Sequence, residues 1–312
     1  MRTEIESPEQ VDQDLLEAIV GASNGHLKNA SDLTSQVVRR RLRETGFRRL
    51  ALPDKPISDT ELVMLPVTEL PVVGEMLDPD SPGAKTISFN DTPDVAFYRG
   101  DKFVVIFHKL TTPEFVKNID ELRTYKAEIR AIIADNALKD LHTEDDTQFI
   151  KYLDRIVGST SGVGASGLQQ NFIINGAITR DTYPEAQNYL EDRSLNNGLW
   201  LTNRKTAKAF LKWGRDEIGG DLAEKLFKAG LIGLGESEIL GIRHAFTIKR
   251  NLVPDNVIYQ MAEPAFLGKA YELQPATMYV EKKEDILRFH ATAKFGYTIA
   301  NVAAVNRVAF VP

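Results

Sequence analysis

The chain has 312 residues, of which 43% are hydrophobic and 26% are charged, so it can fold as one large or two modest globular domains and is not a disordered protein. It contains no cysteine, which excludes disulfides, thiolate nucleophiles, cysteine zinc sites and iron–sulfur ligation. The net charge of −6 argues against a nucleic-acid coat that works by bulk positive charge. The sequence lacks a signal-peptide core and an apolar run of membrane-spanning length, so we expect a soluble protein made inside a cell, with no membrane partner.

The first fifty residues predict two short helices, the second of them basic. Val11, Leu15 and Ile19 recur at helical spacing behind Pro8, which suits the first position of a helix. The basic helix carries Arg39, Arg40, Arg41 and Arg43, followed by Arg48 and Arg49. Such a charge run is usually a solvated face with acidic neighbours. The sharper alternative is contact with phosphates or with an acidic partner surface.

Residues 50–83 scatter six prolines among apolar residues, which excludes a long helix and a central strand. We predict an extended strap that lies along another part of the chain or along another subunit. Residues 84–110 follow with two runs rich in Ile, Phe, Val and Tyr, which predict a hairpin. Its second run is apolar without a break from Phe103 to Phe107, so both of its faces should be covered, which a hairpin alone cannot do.

A long helix is predicted next, from about residue 113 to about residue 140. Thr112 would cap it, Pro113 suits its first position, and one apolar stripe runs along a charged surface. Thr143 is predicted to cap a second helix, with the acidic residues 144–146 at its positive end.

The second half of the chain predicts a mixture of strands and short helices. A Gly/Ser loop over 158–170 leads into a short strand, "NFIIN". A strand "LWLT" precedes a helix over about 203–213, and a strand, turn and strand surround Pro254-Asp255-Asn256. The segments "ILRFHATAKFGYTIAN" and "VNRVAFVP" predict the last strands.

Residues 162–167, "GVGASG", match the letters G-x-G-x-x-G of dinucleotide-binding loops. That fingerprint works only between a buried strand and a following helix, so that the helix amides face the pyrophosphate. Here a helical pattern precedes the loop and a strand pattern follows it, and Asp181 lies in a loop rather than after a second strand. We therefore interpret the segment as a surface loop and a hinge, and keep a nucleotide-dependent enzyme as a disfavoured alternative.

No other motif demands chemistry. The P-loop, the G-x-S-x-G elbow and the H-E-x-x-H zinc motif are absent from the sequence. The five histidines are far apart, and His108 and His290 fall in predicted strands, where a structural role is favoured. The acidic clusters 144–146 and 281–285 are explained by a helix start and a turn. We expect no cofactor, no metal, no small-molecule substrate and no catalysis.

The order of these parts resembles one known plan. An N-terminal arm, a Pro-rich strap, a hairpin ("AKTISFNDTPDVAFYRGDKFVVIFHKL"), a long charged helix ("TTPEFVKNIDELRTYKAEIRAIIADNAL") and a mixed region are followed by terminal strands ("ILRFHATAKFGYTIANVAAVNRVAF"). Together with "LWLTNRKTAKAFLKW" and "ILGIRHAFTIKRNLVPDN", these segments resemble the major capsid protein of tailed bacteriophages, which has the Hong Kong 97 fold. Encapsulin shells and the floor domain of herpesvirus capsids share that fold. The resemblance covers about residues 60–312 and rests on no signature motif.

The resemblance implies an α+β fold with four parts. These are an N-terminal arm and strap over 1–71, an extended β-hairpin loop over 72–112, a peripheral domain with a spine helix over 113–160 and 272–300, and an axial domain over 161–271 and 301–312. It implies hexamers and pentamers of this chain that form an icosahedral shell around double-stranded DNA in a virion, assembled in the host cytoplasm. Scaffolding, portal and decoration proteins would be further partners, and DNA would lie at the inner surface.

The residues that the resemblance assigns to contacts between subunits belong to the arm, the strap and the hairpin. They are Arg39, Arg40, Arg41, Arg43, Val63, Leu65, Val72, Val73, Phe103, Val105 and Phe107. For the basic stretch Arg39 to Arg49 we favour an acidic neighbouring subunit over DNA, because the chain is acidic overall. A second interpretation of the same fold is an encapsulin-like compartment that encloses cargo enzymes.

Overall fold

A computed structural model describes residues 46–64, 71–76, 86, 92, 102–118, 129–159, 162–210, 213, 235–239 and 241–311. Its helices are α1 (Phe47–Ala51), α2 (Ile129–Val157), α3 (Thr182–Glu191), α4 (Arg204–Ala207) and α5 (Pro264–Leu267). Short 3-10 turns span Asp59–Glu61 and Val302–Ala304. Its strands are β1 (Asp54–Pro56), β2 (Val63–Met64), β3 (Pro71–Met76), β4 (Lys102–Thr111), β5 (Phe115–Asn118), β6 (Asn171–Asn175), β7 (Asn197–Asn203), β8 (Gly235–Ile239), β9 (Ile242–Thr247), β10 (Val257–Ala262), β11 (Gly268–Lys283), β12 (Ile286–Ile299) and β13 (Val305–Val311). The first predicted N-terminal helix lies outside these residues, and so do the second up to residue 45 and most of the first run of the predicted hairpin. The end of the second predicted helix coincides with α1.

The first sheet is built around a long antiparallel pair, β11 and β12. Its order is β1-β11-β12-β4-β3-β2, and β5 continues along β12 beyond the end of β4. The turn between β11 and β12 falls at Glu284, which has a positive φ of 54°, as the acidic turn over 281–285 predicted. The strap is more regular than expected, because β3 pairs with β4 in the sheet and its proline, Pro71, stands at the first strand position, where a missing amide is tolerated.

The predicted start of the long helix at Thr112 is wrong. The Thr112 amide donates to the Ala291 carbonyl and its hydroxyl accepts from the Ala291 amide, both at 2.9 Å, so Thr112 continues the ladder instead of capping a helix. Phe115 then pairs with Phe289 in β5. A Thr-Pro-Glu sequence is compatible with a helix start and with an extended strand. Pairing with β12 decides for the strand.

The long helix α2 instead runs without a break from Ile129 to Val157, roughly 43 Å at 1.5 Å per residue. The predicted break at Thr143 is absent, because the Thr143 hydroxyl donates to the Lys139 carbonyl one turn earlier, at 2.7 Å. The acidic residues 144–146 therefore lie inside the helix rather than at its positive end.

The second sheet has the order β6-β13-β10-β7-β9-β8 and mixes parallel and antiparallel pairs. The predicted strands "NFIIN" and "LWLT" are confirmed as β6 and within β7, and the terminal strands as β12 and β13. The helix predicted over 203–213 ends as α4 at Ala207, with the Asn203 side chain capping it by accepting from the Thr206 amide.

Helix α2 joins the two sheets. Its Ala137 and Leu141 pack on β11 and β12, whereas Phe149, Leu153 and Val157 pack with α1 on one face of the second sheet. Helix α3 covers the opposite face of the second sheet. A fourth, smaller core holds Val73, Val105, Phe107 and Tyr271 at the base of β3 and β4.

Candidate functional site

Six charged side chains meet where the start of the described chain crosses α2. The Arg48 guanidinium is fully buried and donates to Asp145 at 3.0 Å and to Asp54 at 2.5 and 2.9 Å. Arg49 pairs with Asp54 at 2.9 Å, and Lys249 pairs with Asp146 at 2.7 Å. Three cations thus face three carboxylates, and we call this group the charge cluster. It ties residues 46–54 and the loop after β9 to α2.

Burial and pairing act in opposite directions in the charge cluster. Burial disfavours the guanidinium, but Asp145 and Asp54 outweigh burial and raise the pKa of Arg48 above its usual value. Burial raises the pKa of Asp146 to about 6, against the opposing effect of Lys249. Arg48 is therefore a fixed charge, held by carboxylates of its own chain.

The expectation that the basic stretch meets another subunit is wrong for its last two members. Arg48 and Arg49 bind Asp54 and Asp145 of their own chain, and their side chains are 0% and 7% exposed. The helix-start interpretation of the acidic residues missed this pairing, because 97 residues separate Arg48 from Asp145. Arg39, Arg40, Arg41 and Arg43 lie outside the described residues.

A groove of about 620 Å³ opens beside the charge cluster, between α2 and the strands β4 and β12. Arg48 lies behind its lining, because its guanidinium is 4.9 Å from the Phe295 ring and 5.3 Å from the Tyr297 ring, and both rings line the groove. Val104 and Ile106 of β4 form the opposite wall. We call this space the spine groove.

Two contacts hold β4 in place along the spine groove. The Thr298 hydroxyl donates to the Val104 carbonyl at 3.2 Å. A side chain at Gly296 would come within 2.6 Å of the Ile106 carbonyl, so only glycine lets β4 approach β12 this closely. The second half of β4, from Phe107 to Thr111, pairs with β12. Its first half, from Lys102 to Ile106, pairs with β3 instead.

The predicted contact residues divide into three groups. Val72, Val73, Val105 and Phe107 are buried, most of them in the small core at the base of β3 and β4, and Phe103 is partly buried beside it. Val63 on the edge strand β2 is 53% exposed. Leu65 lies outside the described residues. In a single subunit, the exposed apolar face of β4 is that of Val104 and Ile106, which the unbroken run of apolar letters did not distinguish from the buried face.

Apolar side chains also remain exposed at the edge of the second sheet. Ile173 on the edge strand β6 is 49% exposed, and Val311 on β13 is 52% exposed. Ile173 is in register with Ala309 of β13, and Val311 lies two residues after Ala309 on the same strand. Ile173 and Val311 therefore point to the same face of the sheet. The described subunit therefore carries exposed apolar residues at the outer strands of both sheets.

The Gly-rich loop after α2 is fixed by hydrogen bonds rather than open. Gln170 is fully buried, accepts from the Ser166 hydroxyl at 2.9 Å, and donates to the carbonyls of Val302 and Val305. The Ala165 amide donates to the Ile156 carbonyl and closes the end of α2. As predicted, a helix precedes the loop and a strand follows it, which is the reverse of the arrangement that binds a dinucleotide.

We expect Gly164→Ala to lower the free energy of unfolding by about 1–3 kcal/mol, because the new methyl group would overlap the backbone of α2. A side chain at Gly164 would come within 2.7 Å of the Ile156 carbonyl and 2.1 Å of the Gln170 amide oxygen. Gly74→Ala is the matched control, since a side chain there meets nothing within 4 Å. Urea unfolding measures both variants, and equal stability of the two would contradict this account of the loop.

A buried histidine sits in an aromatic cage on the α3 side of the second sheet. His244 is fully buried among Tyr183, Trp200, Phe210 and Phe246, and burial lowers its pKa to about 3. Its Nε2 lies 2.8 Å from the Tyr183 hydroxyl, which donates to the Ile239 carbonyl at 3.2 Å. This geometry favours the tautomer in which Nε2–H donates to the Tyr183 oxygen. Sequence patterns did not indicate this cage, because its members come from four separate segments.

In the described parts of the chain, no helix is both long and apolar enough to cross a membrane. No group of three or more His, Asp or Glu side chains in those parts is placed to hold a metal ion. His108 and His290 lie in β4 and β12, and His290 stacks on Tyr279 with ring centroids 5.1 Å apart.

Comparison of the whole chain with known proteins gives similarity at the level of structure. No protein-family model and no curated sequence matches the chain. Among solved structures, the capsid of an empty GTA particle is similar over 86% of this chain and 90% of its own, with a TM-score of 0.58 and 14% identity. Mycobacterium phage Bobi is similar over 86% and 91%, with a TM-score of 0.56 and 11% identity. A virus-like particle from Pyrococcus furiosus is similar over 89% and 98%, with a TM-score of 0.53 and 15% identity.

These likenesses extend over nearly the whole length of each chain, so they concern the full architecture rather than one shared motif. The expected α+β fold is confirmed, and it is the Hong Kong 97 fold of phage capsid subunits.

Proposed function

We propose that this chain is a major capsid protein that assembles as hexamers and pentamers into an icosahedral shell around double-stranded DNA. The observation that carries the proposal is the likeness to capsid subunits over 85–89% of the chain. The proposal is structural: it assigns no catalytic step and no cofactor. The four-part division into arm, hairpin loop, peripheral domain and axial domain belongs to the same proposal.

Exposed apolar residues at two different sheet edges support assembly. A closed ring of identical subunits needs heterologous contacts, in which one surface of a subunit binds a different surface of the next. Val63 on β2 and the pair Ile173 and Val311 beside β6 offer two such surfaces at the outer strands of the two sheets. Exposed sheet edges with apolar side chains favour association with another chain.

The remaining predicted contacts form part of this proposal. Arg39, Arg40, Arg41 and Arg43 would meet an acidic surface of a neighbouring subunit, and Leu65 would extend the contact of Val63. Val72, Val73, Phe103, Val105 and Phe107 would support the hairpin that reaches the neighbour, since most of them are buried in the subunit. Scaffolding, portal and decoration proteins are the partners that a shell of this kind implies.

We expect Ile173→Asp to prevent shell formation while leaving the subunit folded. The side chain is half-exposed, so a charge there costs the monomer little, but it would be desolvated in a contact between subunits. Sedimentation velocity measures the fraction of protein in particles, and circular dichroism checks the fold.

Ile173→Val is the matched control, because it keeps an apolar side chain at the same place and should assemble normally. Normal assembly of Ile173→Asp would show that this edge is not part of the interface between subunits. The ratio of absorbance at 260 and 280 nm of the particles then distinguishes a DNA-filled capsid from an empty or cargo-filled compartment.

A further inference from the structure

The spine groove has an apolar wall that nothing in the described part of the chain covers. Val104 is 37% exposed and Ile106 is 45% exposed, although both are β-branched residues in the middle of a strand. Tyr152 and Tyr297 line the same space from α2 and β12. An apolar groove between a helix and a sheet is a typical site for an amphipathic helix.

The rim of the spine groove is positively charged. Lys109, Lys151 and Arg155 line it and are exposed, and no carboxylate of the described residues pairs with any of them at the salt-bridge distance. Lys151 and Arg155 are four residues apart and so share one face of α2. Of the two acidic residues that line the groove, Asp145 is already bound to Arg48, which leaves Glu144. The surface therefore favours an acidic partner.

The chain enters its described part at the edge of this groove. Gly46 lies against His142 of α2, since a side chain on it would come within 3.1 Å of that ring. Two residues later, Arg48 covers Phe295 and Tyr297, which line the groove. The described chain thus begins within two residues of Arg48, whose aromatic neighbours line this apolar and basic surface.

Residues 8–20 of that segment have the complementary chemistry. Val11, Leu15 and Ile19 recur every four residues, which predicts one apolar face of a helix. The same stretch holds Glu9, Asp12, Asp14 and Glu17 and no Lys or Arg. It therefore offers apolar anchors for Val104 and Ile106 together with negative charges for the basic rim.

We propose that residues 8–20 dock as an amphipathic helix in the spine groove of their own chain. The 25 residues from 21 to 45 form a tether long enough to return to the groove, and a tether gives the segment an effective concentration in the millimolar range. Docking covers the apolar wall of β4 and places the acidic side chains beside Lys109, Lys151 and Arg155. Docking of residues 8–20 depends only on the groove and on this segment, so it does not require that the chain forms a capsid.

The absence of cysteine makes a direct proximity test possible. Leu15→Cys combined with Ile106→Cys creates the only two thiols of the full-length chain, and a short bis-maleimide reagent joins them if residues 8–20 occupy the groove. We expect a cross-link within one chain. Such a product migrates faster than the unlinked chain on a denaturing gel and has the mass of a monomer rather than of a dimer. Leu15→Cys combined with Asp285→Cys, on the exposed turn between β11 and β12, is the control and should stay unlinked.

Charge reversal tests the basis of the docking. Lys151→Glu with Arg155→Glu should lower the cross-linking yield about tenfold, and Asp14→Lys with Glu17→Lys in the same chain should restore it. Dimers and larger products in place of the monomeric cross-link would show that a second copy supplies the segment, and would overturn the proposal. Equal yields for the Ile106 and Asp285 pairs would overturn it as well.

Discussion

Replacing Arg48 with methionine should lower the free energy of unfolding by about 3–5 kcal/mol, because it leaves the buried carboxylate of Asp145 with only the longer, 3.9 Å contact to Arg49. Asp145 is 1% exposed, and both of its carboxylate oxygens accept from Arg48, at 3.0 and 3.1 Å. The same change leaves Arg49 alone to join Asp54 to Asp145 of α2, so residues 46–54 should detach at lower urea concentrations than the rest of the chain. Urea unfolding of the unassembled subunit measures the loss.

Two controls separate this effect from the loss of any surface charge. Arg250→Met breaks an ion pair with Asp255 in which both side chains are substantially exposed, and it should change stability far less. Adding Asp145→Asn to Arg48→Met should recover part of the loss, because it removes the buried charge that lost its closest cation in the first change. A loss for Arg48→Met as small as that for Arg250→Met would show that the charge cluster contributes little.

Acid should destabilise the subunit through His244. Burial lowers the pKa of His244 from 6.5 to about 3 in the folded chain, so the unfolded chain binds the proton more readily. The stability that His244 contributes is therefore complete above pH 6.5 and is lost as the pH falls toward 3. One proton corresponds to at most about 1.4 kcal/mol per pH unit, so the loss between pH 6.5 and pH 4.5 is about 2 kcal/mol.

The test compares the wild-type chain with His244→Phe, which keeps the aromatic packing and leaves Tyr183 bonded to the Ile239 carbonyl. The comparison is necessary because Asp146, whose pKa is raised to about 6, acts with the opposite sign between about pH 4 and pH 6. We expect the difference in unfolding free energy between the two chains to change by about 2 kcal/mol between pH 6.5 and pH 4.5. Parallel stability curves for the two chains would contradict the assignment.

The sequence predicted strands best where a segment carries its own pattern. The terminal strands β12 and β13 and the short strand β6 alternate or run apolar between clear turn residues, and all three are confirmed. The helix start at Thr112 failed because Thr-Pro-Glu suits a helix cap and a strand bridge equally. The pairing of Thr112 with Ala291 decided between them, and it lies 179 residues away.

The candidate sites depend still more on distant contacts. The basic stretch was recognised in the sequence, but the partners of Arg48 in the charge cluster, Asp54 and Asp145, could not be chosen from it. The run from Phe103 to Phe107 predicted coverage of both faces, whereas the subunit buries Val105 and Phe107 and leaves Val104 and Ile106 exposed. Which face a neighbour covers depends on how β4 bends away from β12 at Gly296, and sequence periodicity does not report that bend.

Electron microscopy of the purified protein shows whether this chain builds a shell. We expect closed particles of uniform diameter, with clusters of six and five subunits resolved on their surface. A chain that stays monomeric or dimeric at high concentration, with its fold intact, would rule out a shell protein.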